Sequence, residues 1–113
     1  MSVERFVADL ASIGVAAEAH QGLVIFEVAI SGGQLDGTTT EAAVEVKELS
    51  GWPLVHPHWL HLPSSIQFSK TNSRPSSRAG WTRHSRAQAT PSSAKRSGAD
   101  WVAHVRGILT EAA

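Results

Sequence analysis

The sequence predicts an α+β domain in which helices pack on one face of an antiparallel sheet. Apolar residues recur at helical spacing near both ends of the chain, and β-branched segments joined by short turns lie between them. Sequential strands joined by short turns favour antiparallel pairing. The 113 residues can build one hydrophobic core but not two, so we expect a single domain over residues 1–113.

The first predicted element is a helix from Ser2 to Ile13. Ser2 can cap its N-terminus, and Gly14 is a typical residue after a helix C-terminus. The apolar positions of this helix are Phe6, Val7, Leu10 and Ile13. Such spacing places them on one face, which we expect to contact the sheet.

Two strands are predicted next. Residues 23–30 are too β-branched and too short for a typical helix, which predicts a buried strand. Residues 31–37 are rich in Gly and form a hairpin-type connection. Residues 43–49 alternate apolar and charged side chains, which predicts a half-exposed strand.

The middle of the chain is expected to be extended and then irregular. Gly51-Trp52-Pro53 predicts a turn, and the prolines in and around residues 54–62 exclude a helix and favour an edge strand or a wrapped loop. Ile66 and Phe68 can form a further short strand within residues 64–69. Thirteen Ser or Thr lie between residues 64 and 97, which indicates a long, functional or mobile loop.

A final helix is expected to open at Gly98-Ala99-Asp100. Its apolar positions fall on one face, so it too should pack on the sheet. These positions are Trp101, Val102, Val105, Ile108 and Leu109.

The zero net charge hides an uneven distribution along the chain. Residues 1–50 hold eight acidic and two basic residues, whereas residues 51–99 hold seven basic residues and no acidic one. A basic region can attract nucleic acid or an acidic protein surface, although a solvated loop face has the same composition. The longest apolar run is too short for a membrane span, and neither a signal peptide nor a cofactor is predicted. Cytoplasm is therefore the expected location.

The residues alone offer two candidate chemistries, a metal site and a serine hydrolase. His56, His58 and His61 could bind a metal, but no carboxylate lies nearby in sequence to orient them. Ser85 lacks the glycine-flanked elbow of many serine hydrolases, and adjacent side chains such as His84 and Ser85 diverge in a strand. We therefore expect no metal, and the residues give little support to a hydrolase.

The four tryptophans are candidates for core or contact positions. Trp101 lies on the apolar face of the final helix, so we expect it in the core. Trp81 lies in a basic segment and is the best candidate for a site or a partner. Basic residues around a Trp also permit stacking on single-stranded nucleic acid, although no nucleic-acid motif is present.

Nearly the whole chain resembles bacterial ubiquitin-conjugating-enzyme-like proteins, in particular prokaryotic family E, and the specific part of the resemblance is residues 51–109. The resemblance rests on Gly51-Trp52-Pro53, Pro57-His58-Trp59-Leu60, Gly80-Trp81-Thr82-Arg83-His84-Ser85-Arg86 and the final helix. It implies an N-terminal helix, a four-stranded antiparallel meander, a long active-site loop and a C-terminal helix. It also implies a cytoplasmic carrier in a bacterial ubiquitination-like pathway, such as one in antiphage defence.

The superfamily forms a thioester on a cysteine, and this chain has none. Position in the loop implies that Ser85 stands in the place of that cysteine and carries an oxyester. The implied partners are an activating enzyme, a ubiquitin-like protein and an acceptor protein.

Supporting roles are assigned as hypotheses. His84, or one of the histidines in residues 56–61, would act as base, and Arg83 or Arg86 would stabilise the oxyanion. Asn72, the only asparagine, is a further candidate oxyanion donor. Trp81, Trp52 and Arg78 are expected to contact a partner.

Two alternatives remain open at this point. One is an inactive variant that binds a ubiquitin-like protein as a scaffold, and the other is a nucleic-acid-binding module.

Overall fold

The sheet is antiparallel and has six strands among the residues that the structure describes. This computed structural model describes residues 2–53, 55–68, 72–85 and 97–112. The strands are β1 (Ala17–His20), β2 (Leu23–Ala29), β3 (Thr39–Glu45), β4 (Trp59–Pro63), β5 (Ser73–Pro75) and β6 (Trp81–Ser85). Their order across the sheet is β1-β2-β3-β4-β6-β5.

Two helices pack on one face of this sheet. Helix α1 (Ser2–Ala11) and helix α2 (Ser97–Leu109) both contribute to the same core. Phe6 of α1 and Trp101 of α2 each contact the Phe26 ring edge-on, with centroids 6.0 and 6.5 Å apart. The α+β class and the two terminal helices are therefore as predicted. Trp101 is 1% exposed, which confirms its core position.

Strand alternation divides the sheet residues between two faces. The helix-side face carries the apolar side chains of β2, β3 and β4, including Val24, Phe26, Val44, Leu60 and Leu62. We call the opposite one the open face. By register, the open face carries Glu18, Ile25, Glu27, Glu41, Glu45, Trp59, His61, Trp81, Arg83 and Ser85.

The expected four strands are corrected to six. Strand β1 was not predicted; it pairs with β2 through a turn at Gln21 and Gly22, both with positive φ. Residues 73–75 and 81–85 form a hairpin where a long irregular loop was expected. Residues 86–96 of that expected loop lie outside the described residues.

Several boundaries also differ from the prediction. Strand β3 ends at Glu45, and a 3-10 helix follows at Val46–Leu49, which turns Leu49 into the core. Strand β4 lies between β3 and β6, so it is interior rather than an edge strand. Residues 64–68 form no strand, although Ile66 is buried.

The turn after β3 joins the sheet to helix α1. The Trp52-Pro53 peptide is cis, and Trp52 packs edge-on against Phe6 with centroids 4.8 Å apart. The indole Nε1 donates a 2.9 Å hydrogen bond to Oδ2 of Asp9. These contacts fix the start of the segment that leads into β4.

Candidate functional site

The Ser85 side chain lies at the end of β6 on the open face, where Trp59 of β4 is its direct cross-strand partner. Its hydroxyl Oγ is in close hydrogen-bond contact with Nε2 of His58. A hydroxyl is a weak nucleophile until a base accepts its proton, and a neutral imidazole is a suitable base. The two residues are 27 positions apart in sequence and are brought together by the β4–β6 pairing.

The backbone around His58 is held by Glu48. One carboxylate oxygen accepts the main-chain N–H of His58 at 3.2 Å, and the other accepts that of Trp59 at 3.4 Å. Glu48 is placed for this by the 3-10 helix that follows β3. The carboxylate therefore holds the backbone of His58, while the imidazole itself contacts Ser85.

Asn72 immediately precedes β5 and is the cross-strand neighbour of Ser85 on the β5 edge of β6. Its main-chain carbonyl accepts the Ser85 N–H at 2.9 Å, which extends the β5–β6 ladder by one pair. Directly paired residues share a face of the sheet, so the Asn72 side chain is on the open face with Ser85. Because the Ser85 N–H is already bonded to Asn72, it is not available to an oxyanion.

Arg83 is directed toward Glu45 and Trp59. Its Nη1 lies 3.6 Å from Glu45 Oε1, and its guanidinium lies 4.7 Å from the centre of the Trp59 ring. Arg83 lies on the same face as Ser85, two residues earlier in β6, and its expected role as an oxyanion donor stays a prediction. Arg86, the other arginine considered for that role, lies outside the described residues.

His84 is placed on the helix-side face, away from Ser85. It pairs with Leu60, is 1% exposed and contacts the Phe68 ring at 4.9 Å between centroids. Consecutive strand residues point to opposite faces, so the His84 imidazole does not reach Ser85. The expectation that His84 acts as base is corrected, and the histidine in contact with Ser85 is His58.

Of the residues expected to contact a partner, Trp52 is in the core. Its side chain is 5% exposed and stacks on His56 with ring centroids 4.6 Å apart. Burial corrects the expected contact role. Trp81 and Arg78 remain on the open face, with the Arg78 guanidinium 5.1 Å from the centre of the Trp81 ring.

The three clustered histidines have three different environments. His56 is half-buried and packs between Trp52 and Trp101, His58 contacts Ser85, and His61 is buried beside Glu45. Their rings do not converge. Within the described part of the chain, no group of three or more His, Asp or Glu side chains is arranged to hold a metal ion.

A cavity of about 550 Å³ lies on the open face near β1, β2 and β3. Its floor includes Ile25, and Arg78 reaches it from the β5–β6 turn. Carboxylates predominate among its other charged groups, which are Glu18, Glu27, Glu41 and the ionisable His20. Three of the eight acidic residues of residues 1–50 thus lie around this cavity.

Sequence reasoning missed Glu48 and also the contact between Ser76 and His61. Ser76 Oγ lies 2.7 Å from His61 Nδ1, so this contact joins the β5–β6 turn to β4. The alternation from Trp81 to Ser85 could have indicated β6, because it places Trp81, Arg83 and Ser85 on one face. Nothing local in the sequence indicates which strand pairs with it.

No described helix combines the length and apolar character needed to cross a membrane. Comparisons with protein-family models, curated proteins and solved structures find no match for this chain.

Proposed function

We propose that this chain is a ubiquitin-conjugating-enzyme-like carrier, in which Ser85 accepts the C-terminus of a ubiquitin-like protein as an oxyester and His58 is the base. The observation that carries the proposal is the contact between His58 Nε2 and Ser85 Oγ. Two further features support it: both helices lie on one face of an antiparallel sheet, and the Trp52-Pro53 turn precedes β4.

In the loading step, the donor is the thioester between the ubiquitin-like protein and a cysteine of its activating enzyme. Ser85 Oγ attacks the thioester carbonyl as its proton passes to His58 Nε2. The C–S bond then breaks, and the leaving thiolate takes the proton from His58. The products are the Ser85 ester and the free thiol of the activating enzyme.

In the transfer step, an amine of the acceptor protein attacks the ester carbonyl. The C–O bond breaks, Ser85 regains a proton and an amide forms. A serine ester is less reactive than a thioester, so the tetrahedral intermediate needs a hydrogen-bond donor. The Asn72 side-chain amide is our candidate, because Asn72 is paired with Ser85 on the same face and the Ser85 N–H is already used.

The scaffold function remains a second candidate. The cavity on the open face gathers Glu18, Glu27 and Glu41 around Ile25, which suits a partner surface that combines basic and apolar groups. In this alternative the protein binds a ubiquitin-like protein without an ester at Ser85. We place either function in a bacterial ubiquitination-like pathway in the cytoplasm.

The test is reconstitution with the activating enzyme, ATP and the ubiquitin-like protein, followed by intact mass. We expect a covalent adduct that resists thiol reductant and is released by hydroxylamine. Ser85→Ala should abolish it, and His58→Gln should slow its formation by about 100-fold or more. Ser77→Ala, at an exposed serine in the β5–β6 turn, is the control. An equal adduct on Ser85→Ala would exclude the Ser85 ester, and binding without any adduct would favour the scaffold.

A further inference from the structure

A second serine and histidine pair lies on the open face, apart from Ser85. His61 Nδ1 lies 2.7 Å from Ser76 Oγ, and its Nε2 lies 3.4 Å from Glu45 Oε1. The three residues come from β3, β4 and the turn after β5, so the fold brings together a hydroxyl, an imidazole and a carboxylate. Ser76 is opposite the start of β6, about 13 Å along that strand from Ser85.

The neighbours of the imidazole indicate where its proton lies. A carboxylate beside Nε2 favours a proton on that nitrogen, which leaves Nδ1 as an acceptor. The main-chain N–H of Arg78 donates to Ser76 Oγ at 3.1 Å, so one lone pair of this oxygen is already used. The Ser76 hydroxyl can then donate a hydrogen bond to His61 Nδ1, which is the arrangement of a nucleophilic serine and its histidine base.

Burial keeps His61 in the neutral form that a base requires. The imidazole is fully buried, and this burial lowers its pKa below the usual 6.5, helped by the charge of Arg83 and by His84. Glu45 raises the pKa but does not outweigh burial. A neutral imidazole at physiological pH can accept the hydroxyl proton.

Two cationic side chains lie beside the Glu45 carboxylate. Lys47 Nζ lies 3.1 Å from Oε2, and Arg83 Nη1 lies 3.6 Å from Oε1. The Glu45 side chain is 15% exposed, so its position beside His61 is set by these contacts rather than by solvent. The carboxylate can therefore stabilise the imidazolium that forms when His61 accepts a proton.

We propose that Ser76, His61 and Glu45 form a second acyl-transfer site, in which Ser76 is the nucleophile and the substrates are activated carboxylic esters. Ser76 Oγ attacks the ester carbonyl, and its proton passes to His61 Nδ1. The alkoxide leaving group departs with that proton, leaving an acyl group on Ser76. Water then attacks this acyl group and releases the acid and the free serine. The site does not depend on Ser85 or on a ubiquitin-like partner.

The test uses the intact chain with a fluorophosphonate and, separately, with p-nitrophenyl acetate. Chymotryptic cleavage after Phe68, Trp81 and Trp101 separates Ser76, on residues 69–81, from Ser85, on residues 82–101. We expect the phosphonyl label on residues 69–81 and its loss in Ser76→Ala. His61→Gln, with folding checked by circular dichroism, should slow labelling and ester cleavage by about 100-fold or more.

Ser77→Ala is the matched control, because Ser77 is the exposed neighbour of Ser76 and shares its peptide. It should be labelled like the unchanged chain. Glu45→Gln keeps the size of the side chain and should slow labelling while Ser76 remains the labelled residue. Label on residues 82–101 alone, equal labelling of Ser76→Ala, or no labelling at all would each overturn the proposal.

Discussion

The Glu48 carboxylate accepts the main-chain N–H of His58 at 3.2 Å, so a residue of the 3-10 helix positions the histidine that contacts Ser85. The same carboxylate accepts the next N–H, that of Trp59. Glu48 thus acts on Ser85 through the backbone of His58. It is a positioning residue in the proposed reaction.

Removing this carboxylate should slow loading of Ser85. We expect Glu48→Ala to reduce the single-turnover rate of adduct formation by roughly 10- to 100-fold, because small displacements of a base carry costs of this order. Glu48→Gln keeps one acceptor oxygen, so its single-turnover rate should fall less than that of Glu48→Ala. Intact mass during one turnover measures both rates. Unchanged loading by Glu48→Ala, at equal stability, would show that His58 needs no such support.

Trp52 should contribute to stability rather than to partner binding. Trp52→Phe removes the indole N–H that bonds to Asp9, so we expect the free energy of unfolding to fall by about 1.5–3 kcal/mol. Urea unfolding measures the change. Trp81→Phe, at a half-buried position, is the control and should cost less than about 1 kcal/mol. A larger effect at Trp81 than at Trp52 would contradict the placement of Trp52 in the core.

The helices and β2 could be predicted because their signals are local. Apolar spacing in α1 and α2 has the helical period. Residues 23–30 are rich in β-branched side chains, and the glycine-rich turn at residues 31–37 follows them in the sequence. The apolar residues of these elements can therefore be recognised from short segments of sequence. Their spacing predicts both terminal helices and strand β2.

The strands β4 and β6 could not be placed in this way. Trp81 to Ser85 carries polar residues on both faces, Trp59 to Pro63 is short and contains proline, and the order of the two strands depends on pairing between distant segments. The site depends on the same pairing. His58 meets Ser85, and His84 points away, only once the register of β4 against β6 is known. The family resemblance pointed to Ser85 as the candidate nucleophile and left its base open between His84 and the histidines of residues 56–61.

Low pH should destabilise the protein partly through His61. Burial holds the pKa of His61 below 6.5 in the folded chain, whereas the unfolded chain titrates near that value. As the pH falls below 6.5, the unfolded state binds more protons, so the free energy of unfolding decreases. Glu45, Arg83 and His84 are the titratable groups that contribute to this pKa.

The measurement is urea unfolding at pH 7.5 and pH 5.5 for the unchanged chain and for His61→Gln. Other histidines and carboxylates titrate in both proteins, so the difference between their pH dependences isolates His61. The unchanged chain should lose more stability on acidification than His61→Gln does. Equal losses would show that His61 titrates alike in the folded and unfolded states.

Two glycines of α2 should respond in opposite directions to alanine. A Cβ at Gly98 would lie 2.5 Å from the Asp9 carbonyl oxygen of α1, so Gly98→Ala should cost about 1–3 kcal/mol by forcing the helices apart. Nothing lies within 4 Å of a Cβ at Gly107, and Gly107→Ala should stabilise the helix by about 0.5–1 kcal/mol. Urea unfolding measures both. A neutral Gly98→Ala would show that α1 and α2 do not approach closely at this point.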